Sequence, residues 1–566
     1  MKKIIPAFLL CVCLLVGMLS GCGPASPAAP AAPTSPGTTT PASAPATTPA
    51  VTTPAPTDTT TTAPSPNDTG AAATPQYGGT LKIAVIAPLA TPGYTPMCTT
   101  NASLVYTRIA YESLITYDES GKPQPMLATS WTTDPNEPSV TWVLRQGVTF
   151  ADGQPFNAQA VKANIEAYQA SNRSEVMNVT SMDIVDDYTI KMHLGHWNSS
   201  VVDSIGFFVL YMSPKAIENP DTLSSSTCGT GPFQMTDFVT NVSATYAKNE
   251  NYWQQGKPYL DGVKVTVIPE LTTMEAAFVA EEYDIVASES ADLINDLKTN
   301  YADKFASGDY MQVTNASGQG LVSTGLIPAS ADPSSPFADA RVRRALAYAI
   351  DSDTLIAAFT HDTAIATNQW AVPGTVTYNN SLVGTTYDPD KARALLAEAG
   401  YPNGFDTTLN VAGGGDMYTA IAAMLTDVGI RTTLNVIDGA TFFGYMSGTW
   451  EGITVHAATV GTDLGLYMGR HLGDDATFYA KGIVRPAEAV ALLEQIRGAK
   501  TDDEKIALEM QMQQLIYNGD DGLMLFGKIL YVQPQPVVKH NWIHDDTFTT
   551  CFNGTEVSFA DAWMSK

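Results

Sequence analysis

Histidine, cysteine and carboxylate side chains are the groups in this 566-residue chain that could do chemistry, and their spacing decides which chemistry. The sequence contains no GxSxG elbow, no P-loop and no HExxH helix, so none of the familiar arrangements for a nucleophile, a phosphate cradle or a metal-held water is present. His193 and His196 stand three apart in Met192-His193-Leu194-Gly195-His196. Residues 187–194 read as a strand, on which positions i and i+3 face opposite sides, so a surface role is favoured over a metal site. The run Ala412-Gly413-Gly414-Gly415-Asp416 lacks the lysine and the spacing of nucleotide loops and reads as a strand-to-helix turn. Asp463 is the only acid between residues 457 and 467. This inventory suits a binding protein and not an enzyme, with no metal and no cofactor called for.

The elements that must position these residues begin with an export signal. Lys2 and Lys3 give a basic start, residues 4–18 an apolar run, and Leu19-Ser20-Gly21-Cys22 a small-residue cleavage site followed at once by cysteine. This resembles a lipobox, in which the cysteine is diacylated and becomes the mature N-terminus. The apolar run is shorter than the ~20 residues that cross a bilayer. From Gly23 to Pro75 the chain is almost wholly Ala, Pro, Thr and Ser with Asp58 and Asp68 its only charges, which predicts a disordered tether. The formal charge of −27 becomes −29 without Lys2 and Lys3, which argues against nucleic acid as a partner. Cys98, Cys228 and Cys551 remain for the folded part, where one disulfide and one buried thiol are expected with the pairing open.

The remaining length, about 490 residues, suggests two or three lobes. Gly78-Gly79 releases the chain into an alternating strand at 80–84. Val342, Leu346, Ala349 and Ile350 fall on one helical face, leaving Arg343 and Arg344 more solvated. Asp388-Pro389 reads as an N-cap with proline in the first turn, Gly400 as the stop, and Leu395 and Leu396 as core. A helix over 421–428, closed near Gly429, then precedes a strand at 431–437, and this alternation implies an α/β lobe. Trp131, Trp142, Phe150, Phe156 and Trp253 read as scaffold.

Several segments occur in a recognisable order. They are Gly78-Gly79-Thr80-Leu81, Tyr111-Glu112-Ser113-Leu114-Ile115-Thr116-Tyr117-Asp118, Leu127-Ala128-Thr129-Ser130-Trp131 and Leu144-Arg145-Gln146-Gly147-Val148-Thr149-Phe150, the last continuing to Ala151-Asp152-Gly153-Gln154-Pro155-Phe156. Gly229-Thr230-Gly231-Pro232-Phe233, Asn251-Tyr252-Trp253, the arginine-rich helix from Arg341 and Tyr387-Asp388-Pro389 follow. Together they resemble the family 5 extracytoplasmic solute-binding proteins of ABC transporters, the dipeptide, oligopeptide and nickel binders.

The resemblance implies an α/β, two-lobed periplasmic-binding-protein (Venus-flytrap) fold with an enlarged first lobe: residues 76–315 joined by 541–566, then 316–540 as the second. It implies a monomeric receptor, lipid-anchored outside the cytoplasmic membrane, that passes a small solute to ABC permease subunits. A peptide is the first expectation. A nickel or other metal chelate, an opine or a glycan is the alternative, and a tethered enzyme or adhesin the reading from another class. The implied ligand contacts are Tyr94 and Trp370 as aromatic walls, Asp416 beside the glycine run, and Asp463 as partner of a solute amine. Relatives carry a tryptophan where this chain has Ala458, and dipeptide binders an arginine where it has Gly413-Gly414-Gly415-Asp416. Arg470 and His471 read as a surface loop, with anion or chelate binding as the alternative.

Overall fold

The computed structural model describes residues 74–86, 93–98, 106–118, 121–287, 291–313, 321–361, 363–412, 415–438, 441–442, 444–445, 448–459, 463–474, 476, 479–534, 537–545 and 558–566. Cys22, the body of the tether, Gly413, Gly414 and Cys551 lie outside them, while Cys98 and Cys228 are thiols not bonded to each other.

Two large mixed sheets anchor the two lobes. The first, of seven strands, runs in the order Tyr310–Val313, Val537–His540, Ile285–Ala287, Thr80–Val85, Gly262–Val267, Ser243–Lys248, Phe233–Val239. Its central strands Thr80–Val85 and Gly262–Val267 are parallel, and their alternate residues Leu81, Ile83, Val263 and Val265 are fully buried. The second, of five strands, runs Ile430–Ile437, Phe405–Ala412, Ile453–Thr459, Leu321–Pro328, Lys528–Pro534. The chain thus re-enters the first sheet at Val537, ahead of the expected boundary at 541, because Val537–His540 pairs between Ile285–Ala287 and Tyr310–Val313.

The enlargement of lobe I is a four-stranded antiparallel sheet, Ala128–Asp134, Ser139–Leu144, Thr189–Leu194, Val179–Asp186, covered by the helix Ala158–Ala170. Trp142, Phe150 and Phe156 have no exposure and form its core with Val161 and Ile165. His193 sits on the inner strand Thr189–Leu194 with its Nε2 2.8 Å from Asp183 of the neighbouring edge strand, and His196 is exposed beyond the strand's end.

Local signals placed the helices well. Asp388 Oδ1 accepts from the Lys391 amide at 2.9 Å, capping the helix Pro389–Glu398, and Gly400 takes φ +94° where that helix ends. Leu396 is buried in lobe II and Leu395 packs beside it. The helix Asp416–Asp427 starts earlier than expected, and Gly429 at φ +103° turns the chain into Ile430–Ile437. Arg343 departs from expectation: it is 2% exposed. Its guanidinium donates to Leu523 O, Phe337 O and Ala338 O at 2.7–2.9 Å, and burial lowers its pKa to about 10. An arginine on the inner face of a helix is tolerable when carbonyls replace its water.

Four of the family-like segments meet at one carboxylate. Glu112 is 3% exposed and accepts from Thr230 Oγ1 at 2.7 Å, Tyr252 Oη at 2.9 Å and Trp253 Nε1 at 2.9 Å. Arg145 lies over the Trp253 ring, 4.5 Å from its centroid. The glycines flanking Thr230 are fixed by contact: a Cβ on Gly229 would stand 2.1 Å from Ala110 O.

Candidate functional site

A cavity of about 650 Å³ opens at the seam between the lobes. Lobe I contributes Trp131, Trp197, Val202 and Asp203, and lobe II contributes Val376, Asp463, Lys505, Ile506 and Glu509, with Lys122, Lys500, Asp502 and Asp503 towards the rim. The size suits a small organic solute, and two indoles facing a charged wall give it both apolar and polar character.

The charged wall is built by two helix starts. Asp463 caps Leu464–Leu472, its Oδ1 accepting from the Leu466 amide at 2.7 Å. Its Oδ2 accepts from Lys505 Nζ at 2.6 Å. Lys505 belongs to the first turns of Asp502–Tyr517, whose cap is Thr501, accepting from the Glu504 amide at 3.2 Å. Glu509, one turn on, accepts from the Gly465 amide at 2.8 Å and so ties the two helices together. From lobe I, Asp203 of the short helix Val201–Gly206 places a carboxylate oxygen 3.7 Å from the same Lys505 Nζ and accepts a hydrogen bond from Tyr117 Oη.

Two carboxylates therefore lie within 4 Å of one buried ammonium, and a third, Glu509, feels its charge from one turn further along the same helix. Burial pushes Asp203 up to about 7 and Glu509 up to about 8, against the pull of Lys505. Burial acts the same way on Asp463, but the charge and hydrogen bond of Lys505 outweigh it and hold Asp463 below the usual carboxylate range. Lys505 is raised, since the surrounding acids overcome its desolvation. Of the acids, Asp463 is the one that stays charged with the lysine. Asp203 and Glu509 titrate near neutrality.

The sequence-derived contacts fare differently. Asp463 does line the cavity, but its oxygens are engaged by Lys505 and the Leu466 amide, so no bare carboxylate waits for an amine. Trp370 is fully buried, its ring edge-on to Tyr467 and Phe526 at 4.4 Å between centroids. It is a core side chain of lobe II and touches no open cleft. Tyr94 is half-buried against the core of lobe I, beside the turn Thr95–Met97. Asp416 is exposed at the first turn of Asp416–Asp427, where a carboxylate favours the positive helix end, and it does not line the cavity. His471 corrects the surface-loop reading: it is 1% exposed on Leu464–Leu472, its Nδ1 3.0 Å from Tyr467 O, while Arg470 faces out. Among the described residues no group of three or more His, Cys, Asp or Glu is arranged to hold a metal ion.

Sequence reasoning missed Asp203, Lys505, Glu509 and Trp197, and took Trp131 for scaffold. The i, i+4 pair Lys505/Glu509 after the Thr501 cap was the available signal. Nothing local announces that Asp203, about 300 residues away, joins them.

Comparison with known proteins gives the arrangement a family. Residues 122–481 match the bacterial extracellular solute-binding proteins, family 5. The glutathione-binding protein GsiB of Salmonella typhi is 31% identical over 345 residues, 58% of this chain and 64% of its own length. Heme-binding protein A of Haemophilus influenzae is 30% identical over 317 residues, 50% of this chain and 55% of its own. The matches thus span between half and two-thirds of those relatives. Among solved structures, the peptide-bound DppA of Helicobacter pylori superposes with a TM-score of 0.71 at 22% identity, covering 87% of this chain and 99% of that one. NikA of Brucella suis with Fe(III)-EDTA gives 0.71 at 20% identity, covering 86% and 100%. Both are likenesses of fold. With a family match that spans more than half of its residues, the chain belongs to the bacterial extracellular solute-binding proteins, family 5.

Proposed function

We propose that this protein is a lipid-anchored receptor that captures a short peptide between its lobes and presents it to ABC permease subunits. The observation that carries the reading is the 650 Å³ seam cavity, to which both lobes contribute walls, so that a solute lying there touches both and favours the closed form. Its mixture of indoles with both signs of charge suits a zwitterionic solute with side chains better than a bare ion. The glutathione-binding relatives and the peptide-bound structural neighbour support the same class. A solute amine approaching Asp463 would have to share it with Lys505, so Asp203 and Glu509, more weakly held, are the acids open to such a group.

The test is to identify what copurifies. Mass spectrometry of the small-molecule fraction is expected to return a peptide, and that peptide at 100 times its dissociation constant should stabilise the native protein by about 2.7 kcal/mol. A metal chelate or haem in that fraction, with no thermal shift from peptides, would replace the peptide reading and leave the receptor mechanism in place.

The anchor rests on Cys22 and the apolar run before it. Cys22→Ala is expected to move the protein from the membrane fraction to the soluble one with its melting transition unchanged, because the acyl chains provide the attachment. Persistent sedimentation with membranes would require another anchor.

A further inference from the structure

A helix ends with carbonyls that have no partner in its own turns. The helix Ala487–Gly498 of lobe II ends without the left-handed residue that commonly closes such an end, since Ala499 takes φ −56° and ψ 137°. The Ala499 amide reaches Ile496 O at 3.1 Å, and the further donors arrive from lobe I. Ser199 Oγ donates to Ile496 O at 2.7 Å, the Ser199 amide donates to Arg497 O at 2.8 Å, and Trp197 Nε1 donates to Ala499 O at 2.7 Å. All three come from one short segment that runs directly into the helix carrying Asp203. On one side of them Lys505 faces Asp203, and on the other Lys500 Nζ donates to Asn136 Oδ1 at 3.2 Å.

We propose that residues 197–203 of lobe I form a latch that caps the C-terminal end of helix Ala487–Gly498, and that the lobes close on each other through this latch before a solute is held. The positive N–H ends of Trp197 and Ser199 meet the negative end of the helix, so the contact has the polarity of a cap as well as its hydrogen bonds. Its partners are mainly backbone carbonyls, and so it survives side-chain changes on lobe II and needs nothing from the solute. A receptor already closed for part of the time binds with less of its affinity lost to rearrangement.

The measurement is amide hydrogen exchange on the full-length, solute-free protein, which keeps it independent of which solute is correct. In the unaltered protein the Ser199 amide is expected to exchange slowly. The double variant Trp197→Phe, Ser199→Ala lacks two of the three donors, each worth roughly a fivefold change in population. Exchange should therefore rise by roughly tenfold to thirtyfold at residues 197–203, and also in the last turn of the lobe II helix, residues 494–500, where nothing has been altered. Exchange in both sheets should stay as it was. Acceleration confined to lobe I would overturn the latch, as would a Ser199 amide that exchanges freely in the unaltered protein. Should the variant fold poorly, Ser199→Ala alone applies the same test with about a fivefold effect.

Discussion

Lys505→Met is expected to cost about 3–5 kcal/mol, because it leaves buried carboxylates without the charge that compensates them. The loss should depend on pH, and the sign follows from each group. Asp463 is depressed in the folded protein, so it contributes stability above the ordinary carboxylate pKa that fades as pH falls through its folded value. Asp203 and Glu509 are raised to about 7 and about 8, so their contribution is present below the ordinary carboxylate range and is lost as pH rises through those values. Without the ammonium the first contribution disappears and the second loss steepens. Denaturant unfolding should therefore show a modest deficit near pH 5 and the full one near pH 8. Adding Asp463→Asn should recover part of it, since one uncompensated charge is then gone. A deficit equal at both pH values would mean that the lysine acts through its packing alone.

Glu112→Ala is the second large change. Thr230, Tyr252 and Trp253 would lose their acceptor inside the protein, and at about 1–3 kcal/mol for each stranded donor the sum rivals the stability of a domain. The expected result is loss of the lobe I unfolding transition. Glu112→Gln should be milder, since its carbonyl can serve Thr230 and Trp253 while its amide faces the Tyr252 hydroxyl, which can accept. Burial raises Glu112 to about 7, so its protonation favours the folded state below the ordinary carboxylate range and that benefit is lost as pH rises through about 7. The glutamine variant should lack this slope between roughly pH 4.5 and 7. Parallel stability profiles for the two proteins would assign the dependence to another group.

What could be read from the sequence divides along a physical line. The Asp388 cap, the Gly400 and Gly429 stops and the strand after Gly429 depend on residues within a turn of one another, and they stand where local rules put them. The motifs around Glu112, Thr230 and Tyr252-Trp253 were visible as segments, but their common centre was not, since Glu112 stands more than 100 residues from the other two and only the folded chain joins them. Trp370 misled because an aromatic residue in a connecting segment looks available, whereas Tyr467, Phe526 and His456 enclose it. His471 and Arg343 misled in the opposite sense: polar side chains were assigned to water, and backbone carbonyls took water's place. The charged seam was out of reach because its two halves belong to separate lobes.

The late strand Val537–His540 bears on the order in which the molecule can be assembled. Lobe II is one continuous stretch between Leu321 and Pro534, so everything its five-stranded sheet needs has been synthesised before the chain turns back. Lobe I is different. Its sheet keeps a gap between Ile285–Ala287 and Tyr310–Val313 that is filled by residues more than 220 positions further along. Such a pairing is slow to form and has nothing to pair with until synthesis is nearly over. The four-stranded sheet of lobe I needs none of these late residues, so what waits for the end of synthesis is the closing of the seven-stranded sheet alone.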